Sequence, residues 1–109
     1  MPASFTKLDS LEKLEGLFTR SHEGPVVIFK HSSRCGVSST VSQRMTGLDA
    51  EINVVVVQAS REVSTAIVEK TGVVHQTPQA MIIRNGEAVY QASHYAITPE
   101  ALAAELENQ

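Results

Sequence analysis

Val26-Val27-Ile28-Phe29-Lys30-His31-Ser32-Ser33-Arg34-Cys35-Gly36-Val37-Ser38 opens as a buried strand and closes as the start of a helix. The apolar run from Val26 to Phe29 fits a strand covered on both faces. After Cys35 no turn signal occurs before Gly47, which predicts a helix from about Cys35 to Thr46 with Val37, Val41 and Met45 as its apolar stripe. Cys35 is the only cysteine of the chain. It stands where the unpaired N–H groups of a helix's first turn carry partial positive charge, which favours a thiolate over a thiol. Lys30, His31 and Arg34 precede it, and no acidic residue lies between Lys30 and Gln43. These groups are expected to lower the thiol pKa.

Upstream, Asp9 and Glu12 have capping-box spacing, and Leu8, Leu11, Leu14, Leu17 and Phe18 recur at helical spacing, which predicts a helix over about residues 9 to 21. His22-Glu23-Gly24-Pro25 breaks it before the strand. Downstream, Ile52-Asn53-Val54-Val55-Val56-Val57 is too apolar on both faces for an edge strand and is expected inside a sheet. Ser60 then caps a helix running to about Lys70, with Val63, Ile67 and Ala66 inward and Thr71-Gly72 as its stop. Ala80-Met81-Ile82-Ile83 and Ala88-Val89-Tyr90-Gln91 flank Asn85-Gly86, a hairpin signal because both turn residues tolerate positive φ. Thr98-Pro99-Glu100 opens a last helix with threonine at N-cap and proline at N1, and Ala101, Leu102 and Leu106 form its inner face.

The resulting order, α-β-α-β-α-β-β-α, is that of the thioredoxin arrangement: an α/β fold with a central four-stranded mixed sheet flanked by helices, expected as a single domain over residues 1–109. The right-handed βαβ rule then puts Cys35 at the C-terminal end of its strand, in the surface crevice.

Composition narrows the class of function. Hydrophobic residues make up 42% and charged residues 19%, as in ordinary globular proteins. A net charge of −3 argues against a general nucleic-acid binder, because no basic stripe is available to track phosphates. No segment approaches the length of a membrane span and the N-terminus lacks a signal-peptide pattern, so a cytoplasmic protein without membrane contact is expected. A lone cysteine fits a reducing compartment. His22, His31, His75 and His94 show no metal-ligand spacing, and one cysteine cannot complete a zinc set, so no metal is expected.

Three stretches carry a family resemblance: Phe29 to Ser38, Val73-Val74-His75-Gln76-Thr77-Pro78-Gln79-Ala80, and Ala92-Ser93-His94-Tyr95-Ala96-Ile97-Thr98. Together they resemble the signatures of the monothiol bacilliredoxins, thioredoxin-like proteins of the bacillithiol system. The family usually has proline after its cysteine, where this chain has Gly36. The resemblance implies an enzyme that removes bacillithiol from protein mixed disulfides with Cys35 as nucleophile. The implied partners are bacillithiolated client proteins, bacillithiol itself as thiol co-substrate, and a regenerating reductase. Bacillithiol, a cysteinyl-glucosaminyl malate, is anionic, and Lys30, His31, Arg34 and His75 are chemically suited to it.

In dithiol oxidoreductases of this fold a second cysteine, three residues after the first, resolves the mixed disulfide. Here that position is Ser38, which cannot resolve a disulfide but can donate a hydrogen bond to a thiolate; Gly36 and Val37 complete the turn. The resemblance also implies a cis bond at Thr77-Pro78, with the Thr77 backbone receiving the incoming chain as a short added strand. His94 is expected to cap or pack after the last strand. Two other classes of function fit the same residues. Cys35-Gly36-Val37-Ser38 differs by one residue from the Cys-Gly-Phe-Ser motif of monothiol glutaredoxins, which hold an iron–sulfur cluster between two protomers. A non-catalytic module with Cys35 as redox sensor is the other.

Overall fold

Alternating and helical periodicities sort into one mixed sheet with helices on both faces in the computed structural model, which describes residues 3–34 and 36–108. In chain order the elements are β1 (Ser4–Lys7), α1 (Leu11–Arg20), β2 (Val26–His31), α2 (Gly36–Met45), β3 (Glu51–Val56), α3 (Arg61–Thr71), β4 (Gln79–Arg84), β5 (Glu87–Ser93), a 3-10 turn at His94–Ala96 and α4 (Pro99–Glu107). The sheet order is β1-β3-β2-β4-β5. β3 runs parallel to both β1 and β2, whereas β4 is antiparallel to β2 and β5.

The sheet has five strands where the pattern predicts four. The added strand is β1, which pairs with β3 from Ser4↔Glu51 to Lys7↔Val54. All four of its residues are exposed, so it buries no apolar face and leaves no alternation in the sequence. Its backbone ladder is nevertheless what makes β3 an interior strand. Asn53, buried within β3, satisfies its amide by donating to the Val27 carbonyl at 3.0 Å.

The start of α1 also departs from expectation. Ser10, not Asp9, is the N-cap: its backbone is extended (φ −148, ψ 155) and its hydroxyl accepts from the Lys13 N–H. Asp9 pairs instead with the Lys13 ammonium at 2.7 Å, which lowers its carboxyl pKa. Leu14, Leu17 and Phe18 are buried as the spacing predicts, while Leu11 is exposed. The remaining punctuation follows its chemistry. Gly72 ends α3 at φ 72, and the Asn85-Gly86 turn has φ values of 55 and 77. Thr98 accepts from the Ala101 N–H at 3.1 Å, with Pro99 in the first turn of α4. Ser60 occupies the N-cap of α3, yet its side chain makes no cap bond.

Two cores sandwich the sheet. Val27 and Phe29 of β2 face α2 and α4 through Val41, Met45 and Leu102. Ile28 faces α1 and α3 through Leu14, Leu17, Val63 and Ile67. The pleat of β2 therefore assigns successive residues to opposite layers. At its far end Lys30 pairs with Gln79, the first residue of β4. That pairing sets the end of β2 beside the segment that enters β4 through Thr77-Pro78.

Candidate functional site

Cys35, the expected nucleophile, lies outside the described residues; the residues on either side of it in the chain form the site. The strand end at His31 is held by the Val57 N–H donating to the His31 carbonyl at 3.0 Å. Beyond it, Ser32 organises the turn: its N–H donates to Ser38 Oγ at 3.3 Å, and its own Oγ accepts from Gln58 Nε2 at 2.8 Å and from the Arg34 N–H at 3.4 Å. Ser38 is fully buried in the first turns of α2. Its hydroxyl, accepting from Ser32, keeps its hydrogen free to donate. Arg34 and Gly36 are exposed, and Val37 is half-buried against the α2 core.

The Thr77-Pro78 bond is cis, in agreement with the expectation. Pro78 is buried, and its carbonyl accepts from the His94 N–H at 2.9 Å. His94 itself takes φ 55 and stays exposed, so its backbone joins the entry of β4 to the exit of β5. Gln79 Nε2 donates to the Val74 carbonyl at 3.0 Å and fixes the approach from the other side.

The cations expected to cluster near the thiol separate in three directions. Lys30 is wholly buried on the α3 side, where its Nζ reaches the Ser64 carbonyl at 3.3 Å and His75 Nδ1 at 3.2 Å. Burial pushes its pKa down from 10.5 to about 8. His31 lies on the α2 side, its ring 5.8 Å from that of Phe29. Its Nδ1 is buried with no hydrogen-bond partner among the described residues, and desolvation lowers its pKa. Arg34 stays in the turn. His75, exposed on the approach to the cis bond, meets Lys30 at 3.2 Å and the Ser64 hydroxyl at 3.3 Å; partial desolvation and then the Lys30 charge lower its pKa.

Two residues of this region escape pattern reading of the sequence. Ser64 sits next to Val63 on the inward stripe of α3, where a polar residue signals a buried partner. Gln58 follows β3 at the carboxyl end of a parallel strand, the usual place of sites in such sheets. Among the described residues no group of three His, Cys, Asp or Glu side chains is placed to hold a metal ion, and no helix is long and apolar enough to cross a membrane.

Comparison with known proteins gives one family and one fold. The family model for monothiol bacilliredoxin BrxC matches residues 6–102. A solved thioredoxin-fold protein assigned as an oxidoreductase is 30% identical over 92% of this chain and 91% of its own, with a TM-score of 0.82. Thioredoxin from Trypanosoma brucei brucei is 18% identical over 96% and 89%, with a TM-score of 0.76. Mitochondrial thioredoxin 3 from Saccharomyces cerevisiae is 18% identical over 96% and 95%, with a TM-score of 0.74. These last two share the fold.

Proposed function

The chain belongs to the monothiol bacilliredoxin BrxC family, and from that premise we propose that it removes bacillithiol from protein mixed disulfides through Cys35. The Cys35 thiolate attacks the bacillithiol sulfur of the client–S–S–bacillithiol bond. The client sulfur leaves with the bonding pair and takes a proton from water, and bacillithiol remains on Cys35 as a mixed disulfide. A second bacillithiol thiolate then attacks that disulfide, yielding oxidised bacillithiol and free Cys35; a reductase returns the small thiol to its reduced state. The reaction is a thiol–disulfide exchange in a reducing cytoplasm, carried out by one domain over residues 1–109.

The observation that carries this reading is the meeting of two segments at the Lys30↔Gln79 end of the sheet, the turn leading to Cys35 and the cis Thr77-Pro78. Thr77 offers backbone N–H and C=O groups for an extended client segment, and Pro78 shapes that approach. Ser38, at the position of a resolving thiol, leaves the mixed disulfide to an external thiol. Its free hydroxyl hydrogen, with Gly36 and Val37 in the first turn of α2, serves the thiolate. Arg34 and His75 face solvent where an anionic thiol would approach. Lys30 and His31 act from beneath, by holding His75 and the strand end in place.

The test is mass spectrometry of wild-type and Cys35→Ala protein after incubation with a bacillithiol-modified client. Transfer of the bacillithiol mass to the wild type alone, with release of free client thiol, supports the exchange. Turnover of glutathione-modified client only would replace the cofactor assignment, and inertness toward both would refute the activity.

A further inference from the structure

Among the described residues the fold buries a single charged side chain, Lys30, and gives it no carboxylate partner. A lone buried ammonium costs stability that an apolar side chain of similar volume would not. Two fixed acceptors meet it, the Ser64 carbonyl at 3.3 Å and His75 Nδ1 at 3.2 Å. The first lies inside the fold, whereas the second belongs to an exposed ring. One hydrogen bond therefore links the buried charge to the surface.

That bond decides which nitrogen of His75 carries the hydrogen. An ammonium can only donate, so Nδ1 accepts and the hydrogen of the neutral ring sits on Nε2. The Ser64 hydroxyl, 3.3 Å from the same Nδ1, can then act only as a second donor. At neutral pH the ring is uncharged, because desolvation and then the Lys30 charge lower its pKa, while Lys30, pushed down to about 8, remains mostly charged. The ring is also held in place. Gln79 Nε2 donates to the Val74 carbonyl at 3.0 Å and fixes the segment that bears it, two residues before Thr77. His75 borders the same groove as Gln58, whose amide holds Ser32 of the turn that leads to Cys35. The other groups around the pair do not compete for the proton: Arg61 and Glu69 of α3 are exposed, Gln58 and Gln79 are neutral, and His31 faces the opposite layer.

We propose that Lys30 and His75 form a proton relay for the exchange, in which His75 Nε2 gives its hydrogen to the departing client sulfur while Nδ1 takes one from Lys30. The inference rests on the exchange reaction proposed above and replaces water as the proton source of its first step. When the Cys35 thiolate attacks, the client sulfur leaves with the bonding pair, receives the Nε2 hydrogen and departs as a thiol. Lys30 is left as a neutral amine and His75 with its hydrogen on Nδ1. In the second half-reaction the bare Nε2 takes the proton of the incoming bacillithiol thiol, and Nδ1 returns its hydrogen to Lys30. The thiolate so formed attacks the mixed disulfide on Cys35. The two transfers cancel, so each turnover restores the ammonium. A thiol ordinarily titrates at about 8.5, and an amine at about 8 passes a proton to it and takes one back at little cost.

Single-turnover release from two bacillithiol mixed disulfides, one with a cysteine peptide and one with thionitrobenzoate as leaving group, separates proton delivery from other losses. Thionitrobenzoate leaves as a stable anion and gains little from a proton, whereas the peptide thiolate is a poorer leaving group. His75→Gln keeps a hydrogen-bond donor but cannot pass a proton through. It is expected to slow peptide release roughly tenfold and thionitrobenzoate release by less than about twofold. Lys30→Met is expected to show the same selective loss. Equal losses on both substrates, or none on the peptide, overturn the relay and leave the exchange standing. A wild type inert toward both refutes the exchange and the relay with it. Nitrogen NMR of the labelled imidazole gives a readout apart from turnover. At neutral pH the wild type is expected to hold its hydrogen on Nε2, and Lys30→Met to gain a share of the Nδ1 form, since the Ser64 hydroxyl can accept as well as donate. An Nδ1 hydrogen in the wild type, or a spectrum unchanged in Lys30→Met, overturns the relay.

Discussion

Replacing Lys30 by methionine should change how the stability of this protein depends on pH. The side chain is wholly buried, and its pKa falls from 10.5 to about 8 because burial disfavours the ammonium. Between those values the unfolded chain holds a proton that the folded chain has released, so folding stability rises with pH across that window. At about 1.4 kcal/mol per pH unit the upper bound on the rise is roughly 3 kcal/mol. The ammonium rests against His75, which is exposed, and solvent screening there reduces the expected rise to about 2 kcal/mol. Methionine, unbranched and close in volume, fills the same space with no group to titrate, at the loss of two hydrogen bonds. Urea denaturation of both proteins at several values from about pH 7 to about pH 10.5 isolates the effect as a difference, in which other groups cancel. The wild type should gain about 2 kcal/mol relative to Lys30→Met, or about 1 to 2 M in urea midpoint. A difference that stays constant, or that falls as pH rises, would refute the assignment of a desolvated amine to this position.

On the acid side the neutral His31 ring is favoured by burial, so stability is lost as pH drops below about 6.5 and the ring must charge. His31→Phe should flatten that limb in denaturation curves near pH 5, and equal acid sensitivity of both proteins would argue against it. Ser38→Ala removes the acceptor of the Ser32 N–H and should cost about 1 kcal/mol, read as a melting temperature lower by about 4 °C. Ser38→Cys instead supplies a resolving thiol, so bacillithiol should leave Cys35 without added thiol, detected as free bacillithiol in a single-turnover assay. Asn85→Ala places a Cβ-bearing, non-hydrogen-bonding residue at φ 55 and should cost about 1 kcal/mol in thermal unfolding, whereas Asn85→Gly should not. Arg34→Gln should raise the Cys35 pKa, followed by thiolate ultraviolet absorbance, by less than about one pH unit; a larger change, or none beside a larger one in Lys30→Met, would reverse the roles given to these two cations.

Elements that bury apolar side chains on a regular period were legible in the sequence. Val26 to Phe29, the stripe of Val41 and Met45, and Val63 with Ile67 are the sheet and helix faces of the two cores. Turn chemistry was equally plain at Asn85-Gly86, where only residues tolerant of positive φ fit. β1 was not legible, because an exposed edge strand held by backbone hydrogen bonds has no side-chain pattern to betray it. The Ser10 cap was hidden by the Asp9 to Glu12 spacing, since one polar residue beside another competes for the same role and only backbone dihedrals decide. In the site, the meeting of Thr77-Pro78 with the end of β2 followed from the fold. The engagement of Gln58 and Ser64 did not, because each acts through a partner more than ten positions away in sequence.

The separation of the cations follows from the pleat alone. Lys30 and His31 are neighbours in sequence and therefore cannot share a face of β2: one enters the layer under α3, the other the layer under α2. A count of positive residues before Cys35 treats them as one field, yet their pKa values move in the direction of losing charge, both because of burial. Arg34 is exposed, where a charge contributes at most about 1 kcal/mol, and the first turn of a helix contributes a similar amount. On the function proposed for Cys35, tuning of the thiol would then come from several modest sources, α2's N-terminal turn, the Ser38 hydroxyl and Arg34, and not from a dominant lysine. Thiol–disulfide exchange needs both a large thiolate fraction and retained nucleophilicity, a balance that modest effects serve better than one strong charge. The buried lysine instead ties the end of β2 to α3 and to the approach of the cis bond, through the Ser64 carbonyl and His75.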